Sequence, residues 1–267
     1  MVKKALLCGL NYIGVPGAAL SGCINDVNNV KKVLEPLGYQ ITLLTDQTTI
    51  KPTKQNILDQ LNVLIQGSQV GDILYFHYSG HGAAVKDLDG DEKYGMDSVL
   101  VPLDFRTSGI ILDDDLRKNI LSKVPSGVKL YGLIDACNSG TAFDLKYVYN
   151  DYSNSVATNA QRINYYINTV RYRQTVEVSP KYSNTEGNIV MISGCRDNQY
   201  SADAWINNQA QGAMTWAFLD SLKLYQNKPP LMDLLRRMRM ILFQRGYPQI
   251  PQLSSGNPLV MQTLFEL

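Results

Sequence analysis

Short apolar runs alternate with amphipathic stretches along most of the chain. The runs have the length of strands that are buried on both faces of a sheet. The stretches between them repeat their apolar positions at helical spacing, and Gly38 and Gly67 end two of them. This alternation predicts an α/β domain with a central, mostly parallel sheet and helices on both faces. The predicted strands are 4–10, 40–44, 72–77, 98–102, 129–135, 189–194 and 259–264, and the predicted helices are 26–37, 54–66, 113–122, 211–225 and 231–244.

Residues 146–188 depart from this pattern, since they are rich in Tyr, Asn, Ser and Thr and lack a long apolar run. They are interpreted as a surface excursion with a short helix at 161–170. The whole chain, 1–267, is then one domain in which this linker joins a part at 1–145 to a part at 189–267. The linker carries the basic residues Lys146, Arg162, Arg171, Arg173 and Lys181.

Composition narrows the function classes. With 25 basic and 24 acidic residues the net charge is +1, which gives no support for a nucleic-acid or anionic-membrane partner. No apolar run is long enough to cross a bilayer.

The first 22 residues have the lysines and apolar stretch of a signal peptide, but Gly9, Asn11 and Gly14 interrupt that stretch, which favours a buried first strand. The four cysteines form no C-x-x-C pair, so a zinc site is not expected. We expect the cysteines to be reduced thiols and the protein to be cytoplasmic.

Two strand ends carry the candidate chemistry. His81 follows one predicted strand in "SGHG", and Cys137 follows another in "DACNSG". If these strands are neighbours, the imidazole can draw the proton from the thiol, and the thiolate can attack a carbonyl. The backbone N–H groups of Gly82 and Cys137 could then stabilise the oxyanion. A cysteine is more often structural, but its position at a strand end favours reactivity, whereas His77 is expected to be a core histidine with both ring nitrogens bonded.

Several motifs occur together in one order: "SGCINDV", "HYSGHG", "DLDGDE", "DACNSGT" and "SGCRDNQYSAD". This set resembles the metacaspases, caspase-like cysteine peptidases of clan CD, over nearly the whole chain. The resemblance implies a caspase-like fold, with His81 as the catalytic histidine and Cys137 as the nucleophile.

The resemblance also implies a substrate pocket and a preference for Arg or Lys before the scissile bond. Two buried carboxylates would offset the desolvation of such a cationic side chain and repel an acidic one. Asp26 could instead cap a helix, and Asp135 could simply order its loop. The pocket residues implied by the resemblance are Cys23, Asp26, Ser79 and Asp135.

The resemblance further implies that calcium stimulates the activity. The acidic loop "DLDGDE" does not fit an EF-hand, because Glu92 stands where glycine is needed and Ser98 where a bidentate glutamate is needed. A helix N-terminus also attracts acidic residues, and this alternative and metal binding can hold together at 113–115. The calcium ligands implied by the resemblance are Asp97, Asp113, Asp114 and Asp144.

Some features differ from the family pattern. Asn138 stands where the family commonly has a histidine after the nucleophile, and no prodomain is expected before the first strand. The resemblance implies a monomer that acts on protein or peptide substrates, and it makes the basic residues of 146–188 candidates for self-processing, although a solvated loop would carry them too. Two rivals remain: a catalytically silent, calcium-responsive binding module, and a clan CD peptidase of another specificity.

Overall fold

The computed structural model describes residues 1–86, 96–137, 139–140, 142–151, 174–194, 203–206, 208–260 and 262–267. The strands are β1 (Lys3–Gly9), β2 (Gln40–Thr45), β3 (Ile73–Ser79), β4 (Gly82–Lys86), β5 (Met96–Leu100), β6 (Ile111–Leu112), β7 (Lys129–Asp135), β8 (Tyr147–Asp151), β9 (Gln174–Val178), β10 (Asn188–Ser193), β11 (Asp203–Ile206), β12 (Gln209–Gly212) and β13 (Gln252–Ser255). The helices are α1 (Cys23–Leu34), α2 (Lys54–Ile65), α3 (Phe105–Ser108), α4 (Asp113–Asn119), α5 (Ala213–Leu224) and α6 (Leu231–Gln244), with short 3₁₀ turns at Glu35–Leu37 and Leu121–Lys123.

Eight strands form the central sheet, in the order β2-β1-β3-β7-β10-β13-β8-β9. The first five are parallel to one another, and β13, β8 and β9 continue the sheet in antiparallel pairs. Two smaller sheets, β4-β5-β6 and β11-β12, lie outside it. The predicted mostly parallel central sheet is therefore confirmed.

Helices cover both faces of this sheet, as predicted. Side chains of a strand alternate between its two faces, so neighbouring residues enter different cores. Leu74 packs with residues of α2 on one face, whereas Tyr75 packs with residues of α1, α5 and α6 on the other. Because both faces are covered, β3 is buried along its whole length.

The last strand was predicted in the wrong place. The central sheet uses Gln252–Ser255, whereas the described residues of 259–264 contribute one isolated bridge, between Leu264 and Pro230. The strand at 252–255 carries polar side chains, yet it is buried because it pairs with β10 on one side and β8 on the other. The apolar run at 259–264 therefore did not mark the last strand of the central sheet.

The interpretation of 146–188 as a surface excursion also needs correction, because β8 and β9 of this segment extend the central sheet. Tyr149 of β8 is 2% exposed, and its hydroxyl lies 3.1 Å from Ser255 Oγ of β13. The helix predicted at 161–170 lies outside the described residues. The strand predicted at 98–102 exists as Met96–Leu100, but it belongs to the small β4-β5-β6 sheet.

Candidate active site

The thiol and the imidazole come from neighbouring strands. β3 and β7 pair in parallel, with Ser79 opposite Asp135, and His81 and Cys137 each follow two residues later. The two loops touch, since a Cβ built on Gly82 would lie only 2.2 Å from the carbonyl oxygen of Cys137. The structure thus brings His81, Gly82 and the partly buried Cys137 together at the carboxyl end of the sheet.

His81 is oriented by the loop that follows β1. Its Nε2 lies 2.8 Å from the carbonyl oxygen of Ala18. A carbonyl oxygen only accepts hydrogen bonds, so Nε2 carries the proton in the neutral ring and Nδ1 keeps the lone pair. The backbone N–H of His81 donates to the hydroxyl of Tyr12 at 2.9 Å, and the two rings lie 4.6 Å apart. Tyr12 and Ala18 are not among the residues predicted from the sequence, because neither belongs to a recognised motif.

His77 is fully buried within β3. Its Nδ1 donates to the carbonyl oxygen of Leu133 at 2.9 Å, whereas Nε2 has no hydrogen-bond partner among the described residues. The expectation that both ring nitrogens are bonded is therefore wrong for Nε2. Burial lowers the pKa of His77 to about 4, because the charged imidazolium would lose its hydration.

Two buried carboxylates flank the strand ends. Asp26 and Asp135 are 1% and 4% exposed. The hydroxyl of Ser79 donates to Asp26 Oδ2 at 2.7 Å, so this predicted pocket residue contacts a second one. Cys23, 6% exposed, begins α1 less than one turn before Asp26, and its carbonyl oxygen would lie 2.6 Å from a Cβ on Gly9. All four predicted pocket residues therefore lie near the carboxyl ends of the central strands.

The N-terminus of α5 holds these carboxylates. Asp26 accepts the N–H of Gly212 at 2.9 Å, and Asp135 Oδ2 accepts both the N–H and the hydroxyl of Thr215 at 2.9 and 2.7 Å. The positive end of the helix stabilises the negative charges. Asp26 thus contacts the start of α5 rather than capping α1, and Asp135 fixes the start of a helix.

Gly212 also makes room for both acids. A Cβ at this position would lie 2.2 Å from Asp135 Oδ2 and 2.8 Å from Asp26 Oδ2, so the two carboxylates converge on one point. Only a residue without a side chain leaves that point open. Gly212 and Thr215 are not among the residues predicted from the sequence, although "QGAMT" shows a glycine at the start of a predicted helix.

The predicted calcium ligands lie on β5, α4 and the loop before β8. Asp113 accepts the N–H of Ser98 at 2.6 Å and that of Asp114 at 2.9 Å, and Asp114 pairs with Lys118 at 3.1 Å. These contacts agree with the alternative of an acidic helix N-terminus. Within the part of the chain that the structure describes, no group of three or more His, Cys, Asp or Glu side chains is arranged to hold a metal ion.

Asp97, Asp113 and Asp144 are nevertheless 8%, 2% and 2% exposed. The backbone carbonyl of Asp144 accepts a hydrogen bond from Arg117 of α4, which ties the loop after Cys137 to the same helix as Asp113. Hydrogen bonds therefore connect β5, α4 and this loop, the three elements that carry the predicted ligands.

None of the helices in the described ranges is long and apolar enough to cross a membrane.

The sequence profile described as "Metacaspase, peptidase C14 domain" matches residues 3–146. Among curated relatives, Metacaspase-1A of Neurospora crassa is 36% identical over 98% of this chain, and Metacaspase-1 of Scheffersomyces stipitis is 39% identical over 98%. The chain spans 64% and 73% of the length of these two relatives.

Solved structures give the same fold. A protein of Geobacter sulfurreducens superposes with a TM-score of 0.66 at 24% identity, covering 98% of this chain and 97% of that one. Caspase-1 of Spodoptera frugiperda superposes with a TM-score of 0.59 at 14% identity, covering 95% and 86%. The fold is thus caspase-like. The matched family profile and the curated relatives show that the class is that of cysteine-type peptidases. Within this class the chain belongs to the metacaspase family.

Proposed function

We propose that this peptidase cleaves proteins or peptides after Arg or Lys, with Cys137 as the nucleophile and His81 as its base. One observation carries the proposal: the thiol and the imidazole follow paired strands at equivalent positions, Ser79 opposite Asp135, beside two buried carboxylates. The carboxyl ends of parallel strands are where α/β folds bind ligands.

The first half of the reaction follows from the orientation of His81. The Nε2 proton is held by the carbonyl of Ala18, so Nδ1 is the nitrogen that takes the proton of the Cys137 thiol. The thiolate then attacks the carbonyl carbon of the scissile bond, and the backbone N–H groups of Gly82 and Cys137 stabilise the oxyanion. As the C–N bond breaks, the imidazolium gives its proton to the leaving amine, and the acyl group remains on sulfur as a thioester.

The second half restores the enzyme. His81, neutral again, takes a proton from a water molecule as the oxygen of that water attacks the thioester carbonyl. The C–S bond breaks, the carboxylic acid product leaves, and the proton returns to the sulfur. The same nitrogen therefore serves as base and acid in turn.

The preference for a basic side chain rests on Asp26 and Asp135. Their carboxylates converge beside Gly212, and both contact the N-terminus of α5, so the negative charge of the pocket is concentrated at one point. A guanidinium or ammonium group that enters between them would satisfy both, with charge-assisted hydrogen bonds. A substrate carboxylate would add a third negative charge at the same point.

The mechanism is tested with an arginyl peptide that releases a fluorophore. We expect the wild-type protein to cleave it and Cys137→Ala and His81→Ala to lose at least about 10³-fold in kcat. A thiol-reactive arginyl peptide should label wild-type protein at Cys137. Unlabelled, inactive wild-type protein would favour the silent binding module, and equal activity in Cys137→Ala would refute the mechanism.

Specificity is tested by the charge of the pocket. Asp135→Asn should lower kcat/KM for arginyl peptides about 10²-fold, because it removes one partner of a buried charge pair. Asp59→Asn, a matched change on the exposed side of α2, should leave kcat/KM unchanged. Cleavage after Asp or Asn rather than Arg or Lys would establish another clan CD specificity.

Calcium stimulation is a further part of the proposal. It is supported by the burial of Asp97, Asp113 and Asp144, since a hard dication with oxygen ligands relieves repulsion among carboxylates. Asp114 would be the fourth ligand. The ion would order the loop after Cys137, and no step of the chemistry passes through it. Peptide cleavage with calcium or with a chelator tests this part, and Asp113→Asn should abolish any stimulation.

Three further properties belong to the proposal. A cytoplasmic location is supported by Cys8, Cys23 and Cys137, which are present as thiols rather than in disulfides. A monomer is supported by β8 and β9, which cover the edge of β13 where caspase-like sheets could otherwise pair. Self-processing within 146–188 is tested by incubating wild-type protein beside Cys137→Ala, in which the chain should stay intact.

A further inference from the structure

Residues 11–21 form a closed loop between β1 and α1, which we name the His81 loop. Asn11, at the start of the loop, is hydrogen-bonded to its last two residues. Its carbonyl accepts the N–H of Leu20 at 2.9 Å, and its side-chain amide donates to the carbonyl of Ser21 at 3.3 Å. Asn11 Oδ1 also accepts the N–H of Ile24 at 3.2 Å, which joins the loop to the first turn of α1. A loop with so many internal bonds can hold its backbone groups at fixed places.

This loop contacts His81 in three separate ways. The carbonyl of Ala18 binds Nε2, the hydroxyl of Tyr12 accepts the backbone N–H, and the ring of Tyr12 lies against the imidazole. The position of the imidazole thus depends on where one loop places two of its residues.

Tyr12 is held from both sides. Its side chain is fully buried, and its hydroxyl donates to the carbonyl of Val101 at 2.6 Å, so the oxygen can accept from His81. Its backbone has φ of +53°, a left-handed conformation that is unfavourable for a tyrosine and must be imposed by its surroundings.

Asp46 supplies that constraint. It follows β2, and its carboxylate accepts the N–H groups of Asn11 and Ile13 at 2.8 Å each. These two residues flank Tyr12 in the chain, so the two bonds clamp the backbone on either side of it. No recognised motif includes Asp46, and it lies on another strand end than His81 and Cys137.

We propose that Tyr12, clamped by Asp46, is the residue that positions the His81 imidazole for proton transfer from Cys137. The proposal rests on the proposed function, since it assumes that His81 is the base. Neither residue touches the reacting atoms. They act through the orientation of the ring, on which proton transfer depends steeply.

The test measures thiolate formation at Cys137 directly. The rate of alkylation by iodoacetamide is followed against pH, and modification at Cys137 is quantified by peptide mass. Wild type and His81→Ala come first. If the two alkylate alike at every pH, the proposed function fails; if His81→Ala reacts more slowly near neutral pH, His81 assists the thiol and the positioning residues can be examined.

The positioning variants are Tyr12→Phe, Asp46→Asn and Asp46→Ala. In Tyr12→Phe and Asp46→Ala we expect roughly five- to tenfold slower alkylation at neutral pH and an equal loss of kcat with KM within twofold. Tyr12→Phe removes the contacts of the hydroxyl with Val101, Tyr78 and the His81 N–H, and Asp46→Ala removes two hydrogen bonds to the backbone. The alkylation profile should move toward the higher pH of an unassisted thiol. Asp46→Asn keeps an acceptor and should lie between wild type and Asp46→Ala.

Tyr75→Phe is the matched control. Tyr75 is a fully buried tyrosine of β3 whose hydroxyl has no hydrogen-bond partner among the described residues, so its removal should change neither kcat nor the alkylation profile. If Tyr12→Phe does not fold, the partly exposed Asp46 variants decide the matter. Folded Asp46→Ala with the wild-type profile and kcat would overturn the proposal.

Discussion

The buried, uncharged His77 should make the stability of this fold depend on pH in a calculable way. Burial lowers its pKa from 6.5 to about 4 in the folded chain, so the unfolded chain binds a proton more readily between these values. The folded state with a neutral His77 is therefore most favoured above pH 6.5. Its free energy of unfolding decreases as the pH falls toward 4, because the unfolded chain gains a proton at His77 that the folded chain does not. This single group should cost about 2 kcal/mol of unfolding free energy between pH 7 and pH 5.

Carboxylates also titrate at low pH, so the effect is measured as a difference between two proteins. His77→Asn retains an N–H that can reach the carbonyl of Leu133 but does not titrate. Both proteins carry Cys137→Ala to prevent self-cleavage. Urea unfolding at pH 7, 6 and 5 should show the protein with His77 losing about 2 kcal/mol more stability than the His77→Asn protein.

Nuclear magnetic resonance provides an independent measurement, because the chain contains only two histidines. The His77→Asn spectrum assigns the signals. The ring signal of His77 should stay in its neutral position down to about pH 5. An ordinary titration of His77 near pH 6.5, or equal losses of stability in the two proteins, would refute the reasoning.

Three substitutions test other contacts. Gly212→Ala places a Cβ 2.2 Å from Asp135 Oδ2 and should lower kcat/KM for arginyl peptides at least about tenfold, measured by peptide cleavage; full activity would show that the acids lie elsewhere. Gly132→Ala would place a Cβ 2.5 Å from the ring of Phe143 and should cost about 1–3 kcal/mol in urea unfolding, whereas an unchanged midpoint would mean that the ring moves freely. Thr53→Ala removes the side-chain cap of α2 at Asn56 N and should cost about 1 kcal/mol, with Thr53→Ser as the control that keeps it.

The strands that surround the site were predictable because they are buried on both faces. β1, β3, β7 and β10 read as short apolar runs, and each was predicted to within about two residues of its observed ends. β8, β9 and β13 were not, because the partners in the sheet, and not the side chains, decide their position. Ser254 and Ser255 are buried only because two other strands flank them, and a sequence does not show its distant partners.

The site residues likewise include some that the sequence predicts and some that only the folded chain brings into place. His81 and Cys137 were found because each follows a recognisable strand in a motif. Gly212 and Tyr12 contribute contacts that depend on the folded backbone: a missing Cβ between two carboxylates, and a hydroxyl placed by a left-handed residue. Residue type and spacing predict which chemistry is available, but the groups that orient it are visible only in three dimensions.

The antiparallel ladder of β8 and β9 has a consequence for a chain that is cut between them. Five residue pairs join Tyr147–Asp151 to Gln174–Val178, and β8 is also bonded to β13. Hydrolysis of one peptide bond within 152–173 would thus leave both new termini anchored in the same layer. Such a nicked protein would separate into two bands after denaturation, yet it would travel as one particle through a gel-filtration column.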